Sequence, residues 1–346
     1  MSPRIKFFTE LDHEELITLF ENDNIIDQVK KLGASIALGL LDLSSERAAL
    51  VSRLNQAGIP VTAWMLLSKE DGYWFNLYNS SQACTFYEAF RDWQAQYHLQ
   101  FEALGIDIQP DIRDMRNLAL RRWRTLPVLI WRALDRKRYL IARQTYRNLI
   151  GRMRADGFFV ESYQYPLIVE ERLVRSTLLQ RMLGIVDLPV NREVLMLYSS
   201  FFRPNGVGIL WSYAAEAGGI GIGSTGGGSD YELIKPLSPP LDWEEFARDL
   251  RLSWYWTDSL YVFSLEGCWQ QGFLDRLESF KWDEPIIAPI SVVEKIERFR
   301  QIIRSFLWMS AHLPRILLLS TAIFLLMKGI QRWVSNPEKP QEIAEK

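Results

Sequence analysis

The sequence predicts an α/β chain whose eight strand–helix units close into a (β/α)8 barrel, the TIM barrel architecture. The chain has 346 residues, enough for a barrel of about 250 residues and additional helices. Short runs with strand character alternate with longer helical patterns, as in parallel sheets built from βαβ units. One predicted strand also has two faces of unequal size, which favours a barrel over a doubly wound open sheet.

The predicted elements have recognisable boundaries. Asp12 and Ser44 stand where N-cap residues open the helices after the first and second strands. An aromatic-rich helix leads into the fourth strand, and the seventh strand is rich in glycine. The predicted strands span 4–9, 34–41, 60–67, 101–109, 157–165, 194–200, 218–224 and 260–265. Helices are predicted between them at 12–31, 44–58, 80–98 and 243–256.

The fourth strand separates small and polar side chains from large aliphatic ones. Small and polar residues share one face: Ala103, Gly105, Asp107 and Gln109. Aliphatic residues share the other: Leu104, Ile106 and Ile108. The first face suits a barrel interior and the second suits the surrounding helices. Because catalytic groups of such barrels lie at the C-terminal ends of strands, Asp107 and Gln109 become candidate site residues.

Carboxylates recur on other predicted strands. The eighth strand is predicted to end in Glu266 and the first in Glu10. The fifth strand places Glu161, Tyr163 and Tyr165 on one face. These residues predict a C-terminal mouth lined by carboxyl groups.

Three short segments carry a family resemblance. The strand end Gly-Ile-Asp-Ile-Gln-Pro at 105–110 resembles the Asp-x-Glu-Pro strand end of several glycoside-hydrolase-like barrels. Segments 69–76 and 264–267 resemble motifs of uncharacterised bacterial barrels in that superfamily. As a pattern of strands, the resemblance covers roughly residues 1–285. One departure is that Gln109 stands where those patterns have a glutamate, and a glutamine cannot act as acid or base.

The resemblance implies chemistry on a carbohydrate. Glycoside hydrolysis requires two carboxyl groups on either side of the scissile bond. Asp107 and Glu266 are the first candidates, and Glu161 is the alternative partner if strands four and eight lie too far apart. A barrel that binds without cleaving is the main alternative, which Gln109 favours. A lyase or isomerase that holds Mg²⁺ or Mn²⁺ with the same three carboxylates is the third.

Aromatic residues near the predicted mouth could stack on the apolar faces of sugar rings. A single tryptophan more often packs in a core, but Trp74 and Trp269 lie in predicted loops after strands. The predicted substrate-binding residues are Gln109, Tyr73, Trp74, Tyr163, Tyr198 and Trp269.

The sequence implies no cofactor, no bound metal in the favoured interpretation and no nucleic-acid partner. The three histidines and two cysteines lack metal-ligand spacing. Segment 221–226 spells G-x-G-x-x-G, but prolines rather than a helix follow it, so a dinucleotide site is not expected. The net charge of −2 indicates no overall basic field.

A basic segment at 113–156 follows the fourth strand. It holds 13 basic residues and three acids, a net charge of 13 − 3 = +10, in an amphipathic helical pattern. Such a helix could lie on an anionic membrane surface or pack on the barrel with a solvated face. Nucleic-acid binding is a third interpretation without a recognised motif.

The C-terminal region predicts a membrane anchor. The barrel is assigned to 1–290, a final amphipathic helix to 291–312, a membrane helix to 313–333 and a polar tail to 334–346. The apolar run Ile316–Met327 is short for a span, but flanking basic residues and Trp333 can extend it. Since the N-terminus lacks the apolar core of a signal peptide, we expect a single-pass C-terminal anchor with a cytoplasmic barrel. The alternative is a soluble cytoplasmic protein.

Overall fold

A computed structural model describes residues 3–228 and 238–334 of the chain. Its centre is a closed barrel of eight parallel strands, in which each strand pairs with the next and the last pairs with the first. The strands are β1 (Arg4–Thr9), β2 (Ser35–Leu40), β3 (Val61–Met65), β4 (Ala103–Asp107), β5 (Val160–Gln164), β6 (Arg192–Met196), β7 (Gly219–Gly223) and β8 (Ser259–Phe263). The predicted fold class is confirmed.

Helices surround the barrel. Those described before β8 are α1 (His13–Glu21), α2 (Asp23–Lys31), α3 (Ser45–Gln56), α4 (Ser80–Tyr97), α5 (Ile112–Leu134), α6 (Arg136–Ala155), α7 (Ile168–Val174), α8 (Leu178–Leu183), α9 (Gly206–Ala214) and α10 (Trp243–Trp254). Those after β8 are α11 (Leu265–Gln270), α12 (Phe273–Glu278) and α13 (Ile290–Val334). The helix predicted at 12–31 is two helices, because Asn22 ends the first and its side chain caps the second.

The strands have an inner and an outer face, as predicted for the fourth. The aliphatic residues of β4 pack in the hydrophobic core between the strands and the helices. A separate, largely aromatic cluster fills the barrel interior and includes Phe8, Trp64, Tyr163, Met196, Tyr198 and Tyr261. Gly105 faces this cluster, and a Cβ atom there would lie 2.3 Å from Tyr163 Oη. Glycine on the inner face of β4 therefore leaves room for the Tyr163 ring.

A buried ion pair spans the barrel interior near its N-terminal end. Lys6 Nζ of β1 lies 3.1 and 3.0 Å from the two carboxylate oxygens of Glu161 on β5. Lys6 also donates to Thr62 Oγ1 at 2.7 Å, and Tyr261 Oη donates to Glu161 at 2.6 Å. A cavity of about 270 Å³ opens here, lined in part by Lys6, Glu161 and Arg192. Residues at this end of such barrels contribute to stability rather than to catalysis.

The long connection after β4 forms two helices rather than one. Asp135 separates α5 from α6, and its side chain accepts a hydrogen bond from the backbone N–H of Arg138. The helix α6 packs against α4 and β5, whereas α5 packs against α8. Accordingly, α6 is the helix that returns the chain to the barrel, and α5 is an addition to the fold.

A single helix of 45 residues, α13, covers both helices predicted near the C-terminus. Its first part packs against α7 and α9. The buried Arg300 joins it to Glu170 of α7, with Nε 2.6 Å from Oε1, and to Glu216 at 2.7 Å. Arg304 contacts the second oxygen of Glu170 at 2.9 Å. These ion pairs fix the first part of α13 on the barrel.

The structure does not support the predicted membrane anchor. Among the residues that it describes, no helix contains a stretch both long and apolar enough to cross a bilayer. The predicted membrane segment 313–333 belongs to α13, but its side chains at 313–320, 322 and 329–333 lie outside the described part. The tail from 335 onward also lies outside it.

Replacing Lys6 should destabilise the protein, because it leaves the Glu161 carboxylate buried without its main cation. We expect Lys6→Met to lower the free energy of unfolding by about 3–5 kcal/mol, measured by urea denaturation. Lys30→Met, at an exposed position of α2, should change it by about 0.5 kcal/mol or less. Adding Glu161→Gln to Lys6→Met should restore part of the loss. A loss below ~1 kcal/mol in the single variant would contradict a stabilising role for this pair.

Candidate active site

Asp107 lies at the C-terminal end of β4, on the inner face of the barrel and 2 % exposed. Gln109 Nε2 donates a hydrogen bond to Asp107 Oδ1 at 2.7 Å. Tyr165 Oη in turn donates to Gln109 Oε1 at 2.8 Å. The tyrosine fixes the orientation of the amide, so its N–H group points at the carboxylate.

Burial raises the pKa of Asp107 to about 7, from an ordinary value of 3.8. The Gln109 amide and the neighbouring Trp64 indole oppose this shift, because hydrogen-bond donors stabilise the ionised carboxylate. Asp107 is therefore a carboxyl group that can hold or release a proton near neutral pH.

Glu266 lies at the same end of the barrel, but on a helix rather than on a strand. The strand β8 stops at Phe263, and Ser264 caps α11 by accepting a hydrogen bond from the N–H of Gly267 at 3.1 Å. Glu266 then falls in the first turn of α11, so its predicted place on strand eight is wrong. A Cβ atom at Gly227 would lie 2.4 Å from Glu266 Cγ, so the loop after β7 passes directly over this side chain.

The Glu266 carboxyl is buried with little polar compensation. It is 2 % exposed, and neither oxygen makes a well-oriented hydrogen bond within the described residues. Burial raises its pKa to about 7, and the nearby backbone N–H of Glu266, the hydroxyls of Ser264 and Thr9 and the backbone N–H of Glu10 lower it only in part. A buried carboxyl without good partners is unfavourable for folding, which makes it a candidate functional group.

A third carboxyl at this end, Glu10, was predicted to line the mouth but was given no catalytic or binding role. It follows β1, is buried, and accepts a hydrogen bond from Tyr73 Oη. A Cβ atom at Gly228 would lie 3.1 Å from Glu10 Oε2, so the loop after β7 covers Glu10 as well. The signal was available in the sequence, because alternation from the inner residues Lys6 and Phe8 leads to Glu10.

Aromatic rings surround these carboxyl groups. Tyr198 stacks on Phe263, with centroids 6.0 Å apart and planes at 24°. Trp74 is partly exposed and meets Tyr73 edge to face at 5.3 Å. Both Trp74 and Phe263 pack against the interior cluster while keeping part of their surface accessible. The described mouth is thus apolar and aromatic, with few polar groups, as small-molecule sites commonly are.

Not all predicted residues meet at this end. Asp107, Gln109, Tyr73, Trp74 and Tyr198 belong to the mouth or to the interior cluster beside it. Glu161 does not, because it lies one layer below Tyr163 and pairs in register with Gly105 rather than with Asp107. Its predicted place at the mouth is wrong.

Two further predicted residues form no hydrogen bond with the carboxyl groups at the mouth within the described residues. Tyr163 pairs in register with Asp107, but its hydroxyl lies 3.4 Å from Glu161, in the layer below. Trp269 lies on α11 and is 36 % exposed. It is outside the interior aromatic cluster.

The described residues contain no group of three histidine, cysteine, aspartate or glutamate side chains placed to hold a metal ion. The separation of Glu161 from Asp107 and Glu266 accounts for the loss of the predicted three-carboxylate set. The metal-dependent lyase or isomerase interpretation gains no support from this geometry.

Several solved structures are similar to this chain at low sequence identity. The glycoside hydrolase domain of PgaB (BpsB) from Bordetella bronchiseptica aligns with a TM-score of 0.49 and 11 % identity, covering 80 % of this chain and 98 % of that one. A D-allulose 3-epimerase from Methylomonas sp. aligns with a TM-score of 0.42 and 12 % identity, covering 87 % and 99 %. HMG-CoA lyase from Brucella melitensis aligns with a TM-score of 0.39 and 11 % identity, covering 87 % of this chain and 99 % of that one. No family model and no curated protein sequence matches the chain.

The raised pKa of Asp107 predicts a pH-dependent stability. An acid whose pKa is higher in the folded protein destabilises the fold progressively as pH rises from about 4 to about 7. The difference between 3.8 and about 7 corresponds to roughly 4 kcal/mol once the group is fully ionised. Asp107→Asn should therefore unfold at higher urea concentration than the natural protein at pH 8, and the advantage should vanish near pH 4.

Glu266→Gln should likewise raise the urea concentration of unfolding at pH 8 and lose this advantage near pH 4. Glu14→Gln, on the exposed face of α1, should unfold like the natural protein at both pH values. Urea denaturation across this pH range measures all three variants. Parallel stability curves for Asp107→Asn and the natural protein would show that Asp107 ionises without penalty.

Proposed function

We propose that the C-terminal mouth of the barrel binds a carbohydrate and hydrolyses a glycosidic bond with Asp107 and Glu266. The observation that carries the proposal is the burial of both carboxyl groups at the same end, each with a pKa near 7. Keeping two such groups in an apolar site costs stability, and catalytic sites are where such costs recur. Hydrolysis of a glycoside requires one protonated and one ionised carboxyl, which both groups can supply near neutral pH.

The two environments favour a division of roles. Gln109 donates to Asp107, which stabilises the ionised form and suits a base or nucleophile. Glu266 has no well-oriented donor among the described residues, which favours the protonated form and suits the general acid. Gln109 takes no proton itself in this scheme and acts as a positioning residue for Asp107.

The aromatic surroundings support a sugar as the ligand. Partly accessible faces of Trp74 and Phe263 beside the carboxyl groups offer flat apolar surfaces to the C–H faces of a pyranose ring. Glu10 and the Tyr73 hydroxyl add polar groups that can bind sugar hydroxyls.

A non-catalytic sugar-binding barrel is the second candidate. The hydrogen bond between Gln109 and Asp107 favours it, because an amide occupies the place of the glutamate in the resembled strand end. In that case Asp107 would bind a sugar hydroxyl without transferring a proton.

Conservative substitution of the two carboxyls tests the catalytic proposal. Asp107→Asn and Glu266→Gln should each lower kcat on a hydrolysed glycoside by at least about 10²-fold, because each removes a proton-transfer group. A panel of aryl glycosides and polysaccharides assayed for released sugar provides the substrate, and Glu14→Gln is the matched surface control. Sugar binding without turnover in the natural protein would favour the binding barrel. Neither turnover nor binding across the panel would reject a carbohydrate function.

Gln109→Met tests the positioning role. Methionine keeps the length of the side chain but removes the donor, so the pKa of Asp107 should rise further. The acidic limb of the kcat/KM profile should then move up by about one pH unit, since Asp107 acts in its ionised form. A lower rate with an unmoved profile would indicate that Gln109 only supports local packing.

A further inference from the structure

The junction between α5 and α6 exposes apolar side chains. Trp131 and Leu134, at the end of α5, are 74 % and 70 % exposed. Leu140, in the second turn of α6, is also exposed. Large apolar side chains exposed this far around one helix junction are candidates for contact with something other than water.

Exposed basic residues adjoin these apolar side chains. Arg136 and Lys137 open α6, and neither makes an ion pair within the described residues. The whole segment 113–156 has a net charge of +10. We call Trp131, Leu134, Arg136, Lys137 and Leu140 the α5–α6 corner.

The far part of α13 is also apolar and unpacked. After Leu307, none of the described side chains of this helix is buried. The consecutive residues 323–327 are all apolar, and each is 56–66 % exposed. Because successive residues in a helix point about 100° apart, these five cover its whole circumference. A helix that is apolar all round needs apolar surroundings.

The helices that carry these two features are neighbours. The helix α8 contacts α5 and also α13, and its six residues are only about 9 Å long. Two helices that pack on so short an element lie next to each other on the barrel.

We propose that the α5–α6 corner docks on the surface of an anionic phospholipid bilayer, with the apolar segment 323–327 of the neighbouring helix α13 as a second contact. A protein partner would also cover apolar side chains, but it would not require unpaired cations beside them. A bilayer surface combines an apolar layer with anionic headgroups, and tryptophan and basic residues are the side chains that favour its interface. The proposal requires surface association and no membrane-spanning helix.

Vesicle flotation with the full chain tests this. The protein is mixed with vesicles of phosphatidylcholine alone or of phosphatidylcholine with phosphatidylglycerol, and bound protein rises through a density gradient whereas aggregates do not. We expect flotation with the anionic vesicles that weakens as salt is raised. Equal flotation with neutral vesicles, or none with either, would overturn the proposal.

Charge reversal tests whether vesicle binding depends on the basic residues of the α5–α6 corner rather than on non-specific adsorption. Arg136→Glu/Lys137→Glu should reduce partitioning onto anionic vesicles by at least about tenfold, because each basic residue near the surface contributes to binding. Lys30→Glu/Lys31→Glu, the same change at exposed positions of α2, should leave it nearly unchanged. Equal losses in both pairs would overturn the assignment to this face. A dimer in light scattering that Trp131→Glu abolishes, without vesicle binding, would identify a second copy as the occupant instead.

Discussion

The fit of bulky aromatic rings against glycine inside the barrel is the constraint on which the rest of the structure depends. Gly105 leaves room for Tyr163, and a Cβ atom at Gly219 would lie 2.8 Å from the ring of Tyr261. With these rings in place, the interior is a packed layer rather than a channel, and it separates two ends of different character. The N-terminal end neutralises its charge in the Lys6–Glu161 pair, whereas Asp107 and Glu266 at the mouth make no ion pair within the described part of the chain.

This separation explains how much of the site the sequence could predict. Alternation along a strand tells which side chains face inward, and it placed Asp107 correctly on the inner face of β4. Alternation does not tell how deep an inward residue lies. Depth depends on register between strands, and the pairing of Glu161 with Gly105 puts Glu161 one layer below Asp107. The sequence of the fifth strand alone does not indicate which residue of β4 each of its residues pairs with.

The error at Glu266 has a different origin. The prediction placed Ser264 and Glu266 on one face of a continuing strand, but β8 stops at Phe263, and the Ser264 side chain accepts the N–H of Gly267 and starts a helix there. The inward residues of β8 are Tyr261 and Phe263, so a longer strand would have turned Glu266 outward. A serine three residues before a glycine is a weak signal for a cap inside an otherwise strand-like run. Glu266 nevertheless reaches the mouth, because the first turn after a barrel strand occupies the same end as the strand tip. The α/β alternation itself was predictable, since eight consecutive units repeat it.

The direction of α6 has a consequence for how a ligand would arrive. This helix must run from the mouth end back to the start of β5, so its first residues and the α5–α6 corner lie at the mouth end of the barrel. Arg132 and Arg138 beside that corner both lie over the ring of Tyr78, in the loop that also carries Trp74. A lipid surface docked at the corner would therefore border the entrance to Asp107. A sugar carried on that surface would arrive by lateral diffusion, and its supply would follow its density per unit area rather than its concentration in bulk water.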